Sequence, residues 1–382
     1  MLRALPPDAA ALLATQHGVV TASQLLASGM TPRQCRVAID RGLLFRPYRG
    51  VYVDPEAWHA ASGEVRHAMR LLAAQLVAPD AVGVEASAAI ARRLPVRAVP
   101  ERAQVARQPQ AGRLVGAHVH RAAVPSADVT SVDGLTVTTT AVTCAAIASG
   151  HDFAGALITV DAALRRGLGS DELLAAVERL PYATRRARAD RVIDLADPWS
   201  ESWLESLSRG EQIAAGVPAP LCNVTLIADG REARVDHLWA EECVIGEADG
   251  KGKYEKQGDP AEAHWNEKRR QEWLEDLGFI VVRWATRDVA DNPAPMLARL
   301  ARARSRRSVF GGGWPSGVRA ELRALIGVRQ PARVVAEVRR LQAVGIPIDF
   351  APPDAWRRRE EPGSLWTPAA PPKLMRSRRP AA

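Results

Sequence analysis

Three carboxylates set into apolar strands constrain this chain more than any other feature of its sequence. Cys222 to Ala228, Arg234 to Trp239 and Cys243 to Gly246 read as strands, with Asp229-Gly230 marking the first hairpin turn. Asp236 lies inside the second strand, and Glu247 and Asp249 close the third, just before Gly250-Lys-Gly-Lys253-Tyr. Burying such groups is costly unless something neutralises them. Glu247 and Asp249 are two residues apart and share a strand face, and neighbouring strands lie about 4.8 Å apart, so Asp236 can join them. A divalent cation is one counter-charge, since oxygen ligands with positions left to water and phosphate suit Mg²⁺ or Mn²⁺. Ion pairing with Arg270 and Arg283 is the other. Those two arginines are expected either to contact DNA phosphate or to brace the carboxylates.

The lysines point to the same stretch. Only five of the 51 basic residues are lysines, and four of them, Lys251, Lys253, Lys256 and Lys268, fall together there. The net charge of +8 is a property of the far end: from residue 301 onward 17 Lys or Arg stand against 6 Asp or Glu, so the first 300 residues are net acidic. The excess is therefore read as a phosphate-attracting tail and not as a uniformly basic surface.

The first 55 residues predict a winged helix-turn-helix. After a helix over Asp8 to Gln16, Thr21-Ala-Ser-Gln24 and Thr31-Pro-Arg-Gln34 each fit a capping box, with Pro32 at the favoured first helical position. The second helix should run from Pro32 to Arg41 and stop at Gly42. Leu43 to Arg46 and Val51 to Val53 then flank a Pro-Tyr-Arg-Gly turn, the wing. Arg33, Gln34 and Arg36 sit at the start of the second helix, where such motifs touch base edges, and Arg46 and Arg49 are placed on the wing to reach phosphates. Double-stranded DNA is the expected partner.

The whole chain reads as a multidomain α/β protein. Residues 56–183 form a mixed middle unit with helices near 64–79 and 152–179 and strands near 113–121 and 134–140; His118 and His120 alternate on a strand there without an evident third metal ligand. Residues 184–200, rich in Arg, Asp and Pro, read as a linker or polar helix, and 201–305 as the carboxylate-bearing unit. Residues 310–350 should add short helices at 317–326 and 331–343, and 351–382 a basic disordered tail. Cys35, Cys144, Cys222 and Cys243 are far apart and form no C-x-x-C pair, so buried reduced thiols are expected. No apolar stretch is long enough for a membrane span, and a cytoplasmic location with no membrane partner is expected.

Five segments, Ser202-Trp-Leu-Glu205-Ser, Arg234-Val-Asp236-His-Leu-Trp, Val244-Ile-Gly-Glu247-Ala-Asp249-Gly, Glu267-Lys-Arg-Arg270-Gln-Glu-Trp-Leu and Gly278-Phe-Ile-Val-Val-Arg283-Trp, follow one another in the order of a known family. Together they resemble the PD-(D/E)XK nuclease fold, in the branch of the very short patch repair endonucleases. The resemblance implies a restriction-endonuclease-like mixed sheet flanked by helices, Asp236 and Glu247 as metal ligands, and Glu205 supporting them. It departs from the wider fold at Asp249, where many members carry lysine, and Lys253 or Lys251 is then the residue expected to orient or deprotonate the attacking water. The first 180 residues are similar to AbiEi antitoxins of type IV toxin–antitoxin systems, through Gln16-His-Gly-Val-Val-Thr-Ala-Ser-Gln24, Arg46-Pro-Tyr-Arg-Gly-Val-Tyr-Val53, His120-Arg and Asp133-Gly-Leu-Thr-Val-Thr-Thr. That resemblance implies a winged-helix repressor followed by an α/β domain.

Two functions remain open on these residues. One is a Mg²⁺-dependent endodeoxyribonuclease delivered to duplex by its winged helix. The other is a repressor or antitoxin, acting at the operator of a cognate toxin gene, whose nuclease-like domain is inactive and serves DNA clamping or homodimerisation.

Overall fold

The computed structural model describes residues 4–110, 112–150, 152–250, 260–310, 313–323, 330–351 and 363–366. The amino-terminal unit runs α1 (Pro7–Thr15), β1 (Val19–Thr21), α2 (Ala22–Ala27), α3 (Pro32–Asp40), β2 (Phe45–Tyr48) and β3 (Val51–Val53), with sheet order β1-β3-β2. Both capping boxes form: the Thr21 hydroxyl accepts from the Gln24 backbone N–H at 3.3 Å and Gln24 Oε1 accepts from the Thr21 N–H at 2.9 Å, with 3.2 and 2.8 Å for Thr31 and Gln34. Helix α3 turns Cys35 and Ala38 into a core with Leu13, Val20, Leu25 and Leu44, which leaves Arg33 and Arg36 exposed on the other side. Strand β1, which sequence patterning did not reveal, anchors the sheet through the Val19–Val53 pairing. The wing also departs from expectation. Pro47 and Tyr48 belong to β2, because an irregularity in register between Phe45 and Tyr48 removes the need for a proline N–H. The turn is Arg49-Gly50 alone, with Gly50 at φ +86°, a left-handed conformation that glycine adopts without strain.

The middle unit contains α4 (Pro55–Ala60), α5 (Gly63–Val77), β4 (Val82–Gly83), α6 (Glu85–Ala91), β5 (Ala103–Arg107), β6 (Ala117–Arg121), β7 (Val129–Val132), β8 (Leu135–Thr138), α7 (Thr140–Ala148), α8 (Phe153–Arg165), α9 (Ser170–Glu178) and α10 (Ala183–Leu195). Its five-stranded sheet, in the order β6-β5-β4-β8-β7, is mixed: β5–β6 and β4–β8 are parallel, β4–β5 and β7–β8 antiparallel. The expected helix over 152–179 is broken into α8 and α9. Of the two readings of residues 184–200, the polar helix forms and the linker does not. These residues form most of α10, whose Ala189 and Val192 are buried against α7, α8 and α9, and continue into buried Asp197, Trp199 and Ser200. The many Arg and Asp residues of α10 occupy its outward side and mask an apolar contact only a few residues wide.

The third unit opens with α11 (Trp203–Ala214), capped by the Ser202 hydroxyl. It continues through β9 (Leu221–Ala228), β10 (Arg231–Trp239), β11 (Val244–Asp249), α12 (Pro260–Asp276), β12 (Ile280–Ala285), α13 (Arg287–Ala290), α14 (Ala294–Phe310), β13 (Arg319–Leu322), α15 (Ala332–Ala343) and β14 (Ile348–Phe350). The sheet order is β12-β11-β10-β9-β13-β14, with β9–β10–β11 an antiparallel meander and β12 parallel to β11. Helices α12 and α15 contribute to the core on one face, through Leu274, Val334, Val338 and Leu341. Helices α11 and α14 contribute to that on the other, through Leu204, Leu207, Met296 and Leu300. Of the expected helix at 317–326, residues 324–326 lie outside the described residues and Arg319–Leu322 form β13 instead, paired antiparallel to β9, which with β14 widens the sheet. Arg319-Ala-Glu-Leu322 alternates exposed and buried, the two-residue period of a strand.

Helix α11 joins the second and third units. A Cβ built on Gly210 would lie 2.6 Å from the Ala154 Cα, so only glycine permits α11 to lie this close to α8. Beside that contact Arg209 and Asp161, both wholly buried, form an ion pair at 2.8 Å. Asp161 also accepts from the Asp197 N–H at 2.8 Å, and Asp197 pairs with Arg333 of α15 at 3.0 Å. The assignment of 351–382 to a disordered tail is corrected at one place. Leu365 is buried in the middle unit's core, its N–H donates to Asp133 at 2.6 Å, and Trp366 stacks on His17 with centroids 4.1 Å apart. Residues 352–362 and 367–382 lie outside the described residues.

Candidate nucleic-acid interface and carboxylate cluster

Helix α3 presents Arg33 and Arg36 to solvent, three residues apart on one side, while Gln34 folds back onto its own cap. Gln34 is thus engaged in the capping box, and Arg33 and Arg36 are left exposed. Arg46 and Arg49 are exposed on the wing, as placed by sequence. None of these four arginines meets the carboxylate cluster, which belongs to the third unit.

In that cluster, the register of β10 on β11 pairs His237 with Gly246, the chain neighbours of Asp236 and Glu247. Asp236 is 7% exposed and accepts from the Ala248 N–H at 2.8 Å. Glu247, 2% exposed, receives Arg270 at 2.9 Å. Asp249 receives both ends of the Arg283 guanidinium, at 2.7 and 2.8 Å, and Glu267 of α12 bridges the two arginines at 3.0 and 2.6 Å. The result is a continuous alternation Glu247–Arg270–Glu267–Arg283–Asp249. Burial opposes the charge of both guanidiniums, but the carboxylate hydrogen bonds outweigh it and hold each above the usual arginine range. Burial likewise pushes Glu267 up, yet hydrogen bonds from Arg270 and Arg283 leave it below the usual glutamate range.

Glu205 comes from α11 and is 3% exposed. Its Oε2 accepts from the Glu201 N–H at 2.7 Å and from Asn223 Nδ2 at 2.8 Å. Burial, then the charge of Asp236, raises its carboxyl above the ordinary range. Glu205, Asp236, Glu247 and Asp249 therefore do converge on one region, and Arg270 and Arg283 brace carboxylates there. Lys251 and Lys253 lie outside the described residues. Sequence reasoning gave no role to Glu267 or Asn223. Asn223 interrupts the apolar start of β9 with φ +51°, a signal of the same kind as Asp236.

The chemistry of the donor set suits Mg²⁺, but its placement does not. Glu247 and Asp249 are engaged by guanidiniums, and among the described residues no group of three His, Cys, Asp or Glu side chains could hold a metal ion. His118 and His120 pack edge to face, with Glu85 3.6 Å from His120, and fall under the same statement. All four cysteines are buried and unbridged. Among the described residues no helix is long and apolar enough to cross a membrane.

The amino-terminal region thus combines a capped helix pair, a three-stranded sheet and exposed arginines on α3. Residues 8–53 match the family described as transcriptional regulator, AbiEi antitoxin. Over 158 residues the chain is 31% identical to the uncharacterized proteins MT2308 and Rv2248 from two strains of Mycobacterium tuberculosis, an alignment covering 41% of this chain. The chain spans 57% of the length of each of these relatives. The crystal structure of the RV2827C protein from Mycobacterium tuberculosis overlays with a TM-score of 0.34 at 17% identity, covering 58% of this chain and 85% of that one.

Proposed function

We propose that the chain is a double-stranded-DNA-binding transcriptional regulator of antitoxin type that selects its site through α3. The observation that carries this reading is the exposed Arg33 and Arg36 pair on a doubly capped helix-turn-helix within the AbiEi-matching region. A bidentate arginine–guanine contact discriminates bases by about 1–3 kcal/mol. Replacing both arginines by alanine should therefore flatten the preference among duplexes in a selection assay, while Asp236→Ala keeps it. An unchanged preference in the arginine variant would remove α3 as the reading helix.

In this reading the third unit is a nuclease-like scaffold whose acids are neutralised by arginine, and it serves DNA clamping or self-association. A second reading, an endodeoxyribonuclease, is favoured by the order helix, three-stranded meander, helix, parallel strand, and by Glu205 lying within electrostatic reach of Asp236. No reaction step is derived for it, because the acids as placed do not fit the metal. A plasmid-nicking assay with Mg²⁺ or Mn²⁺, beside chelator and Asp236→Ala, separates the two readings: metal-dependent nicking that disappears in the variant favours the enzyme.

A further inference from the structure

The wing and the middle unit line an open-sided cavity of about 600 Å³, within the range that small ligands occupy, bordered in part by Phe45, Tyr48, Trp58, Arg70, Arg102 and Arg113. Its chemistry is lopsided. Three guanidiniums share it with one carboxylate, the exposed Glu101, and among the described residues none of the three forms an ion pair. The Arg70 guanidinium lies 5.0 Å from the centre of the Trp58 ring, with the charge of Glu101 supporting it only from beyond ion-pair distance, and the Tyr48 hydroxyl donates to the Arg70 backbone carbonyl at 3.5 Å. Burial works against its charge, so a half-buried cation waits beside an aromatic wall. Tyr48 is itself fixed against the middle unit, since a Cβ built on Gly116 would lie 2.5 Å from its ring. The cavity is thus built from closely packed parts of both units.

We propose that this cavity binds a planar anion of mononucleotide size, its phosphate held by Arg70, Arg102 and Arg113 and its ring seated against the partly exposed Phe45 and Tyr48 and the exposed Val115. Guanidiniums form strong charge-assisted bonds to phosphate, and aromatic side chains accept a base without demanding its sequence. Because Phe45 and Tyr48 belong to wing strand β2, occupancy is coupled to the wing; that consequence rests on the DNA-binding reading, whereas ligand binding does not.

The test is calorimetric titration of the full chain with AMP, GMP, CMP and UMP, with adenosine and inorganic phosphate as the separate halves of the ligand. At least one nucleotide should bind more tightly than either half, and Arg70→Gln should weaken it by about tenfold or more, the effect expected for one charge-assisted bond. Arg102→Gln with Arg113→Gln, both at exposed positions, should weaken it similarly and keeps the test sharp should Arg70→Gln fail to fold. No nucleotide binding at millimolar concentration, or equal affinity in wild type and the Arg102/Arg113 variant, overturns the proposal. Displacement of bound nucleotide by a short duplex without the preferred site would assign the cavity to DNA phosphate and overturn it too. If nucleotide binds and leaves duplex affinity unchanged, the site stands and its coupling to the wing falls.

Discussion

Asp161 and Arg209 meet with no exposed side-chain surface on either, at the contact between α8 and α11. Burial disfavours the Arg209 charge, but Asp161 more than offsets it and holds the guanidinium above its usual range. Removing one member leaves the other charged and buried, which costs about 3–5 kcal/mol. Asp161→Ala should therefore show a large fall in the urea midpoint, while Asp161→Leu with Arg209→Met should recover much of it. A neutral Asp161→Ala would remove the pair from the joint between the units. Glu205 behaves in the opposite sense. Its carboxyl is raised in the fold, so the native state holds a proton that the unfolded chain has released, and stability falls as pH climbs above the ordinary glutamate range. Glu205→Gln should raise the melting temperature at pH 7, with the gain shrinking toward acid pH, where both states are protonated; a constant gain would exclude titration as its cause. At this scale the sequence exposed Asp236, Glu247 and Asp249 because each breaks an apolar strand. It hid Asp161 and Arg209, because their pairing links positions 48 residues apart on two helices that nothing local brings together.

The elements were most legible where local chemistry decides them. Thr31 and Gln34 announce the start of α3 because both capping bonds are made within four residues. Thr31→Ala should cost about 1 kcal/mol, seen as faster amide exchange in the first turn of α3 and weaker duplex binding, with the third unit's exchange unchanged. Uniform acceleration throughout the chain would mean that the cap stabilises more than its helix. Legibility failed where tertiary partners decide. Strand β13 is only four residues long, and its identity depends on β9 already offering a free edge. Helix α10 carries so many Arg and Asp residues that its two buried positions, Ala189 and Val192, do not register as a stripe. The carboxylate sheet was legible as strands bearing acids. The choice between metal and arginine as counter-charge was not, since it depends on which face of α12 turns Glu267 and Arg270 toward β11 and β12.

Across the whole molecule, the carboxyl-terminal segment returns to the amino-terminal unit. Ser364 accepts from Arg93 through its carbonyl, Trp366 Nε1 donates to the Asp133 carbonyl at 2.9 Å, and the Trp366 ring lies on His17. The anchor therefore bridges the amino-terminal unit and the middle unit. Beyond it, Lys373, Arg376, Arg378 and Arg379 follow without an acidic residue. Anchor and charge should separate by truncation. Removing residues 367–382 takes away these cations and keeps the Leu365 and Trp366 anchor in place. It should leave thermal stability unchanged and flatten the salt dependence of duplex binding, by roughly 0.9 log units for each phosphate no longer neutralised. Leu365→Ala keeps every cation but empties a core position, so it should cost about 2 kcal/mol or more and leave the salt slope alone. Melting curves and binding titrations across salt concentrations on the two proteins check both halves. A truncation that changes the preferred sequence would make the tail a reader of bases, and a Leu365→Ala protein as stable as wild type would show that the segment contributes nothing to holding the two units together.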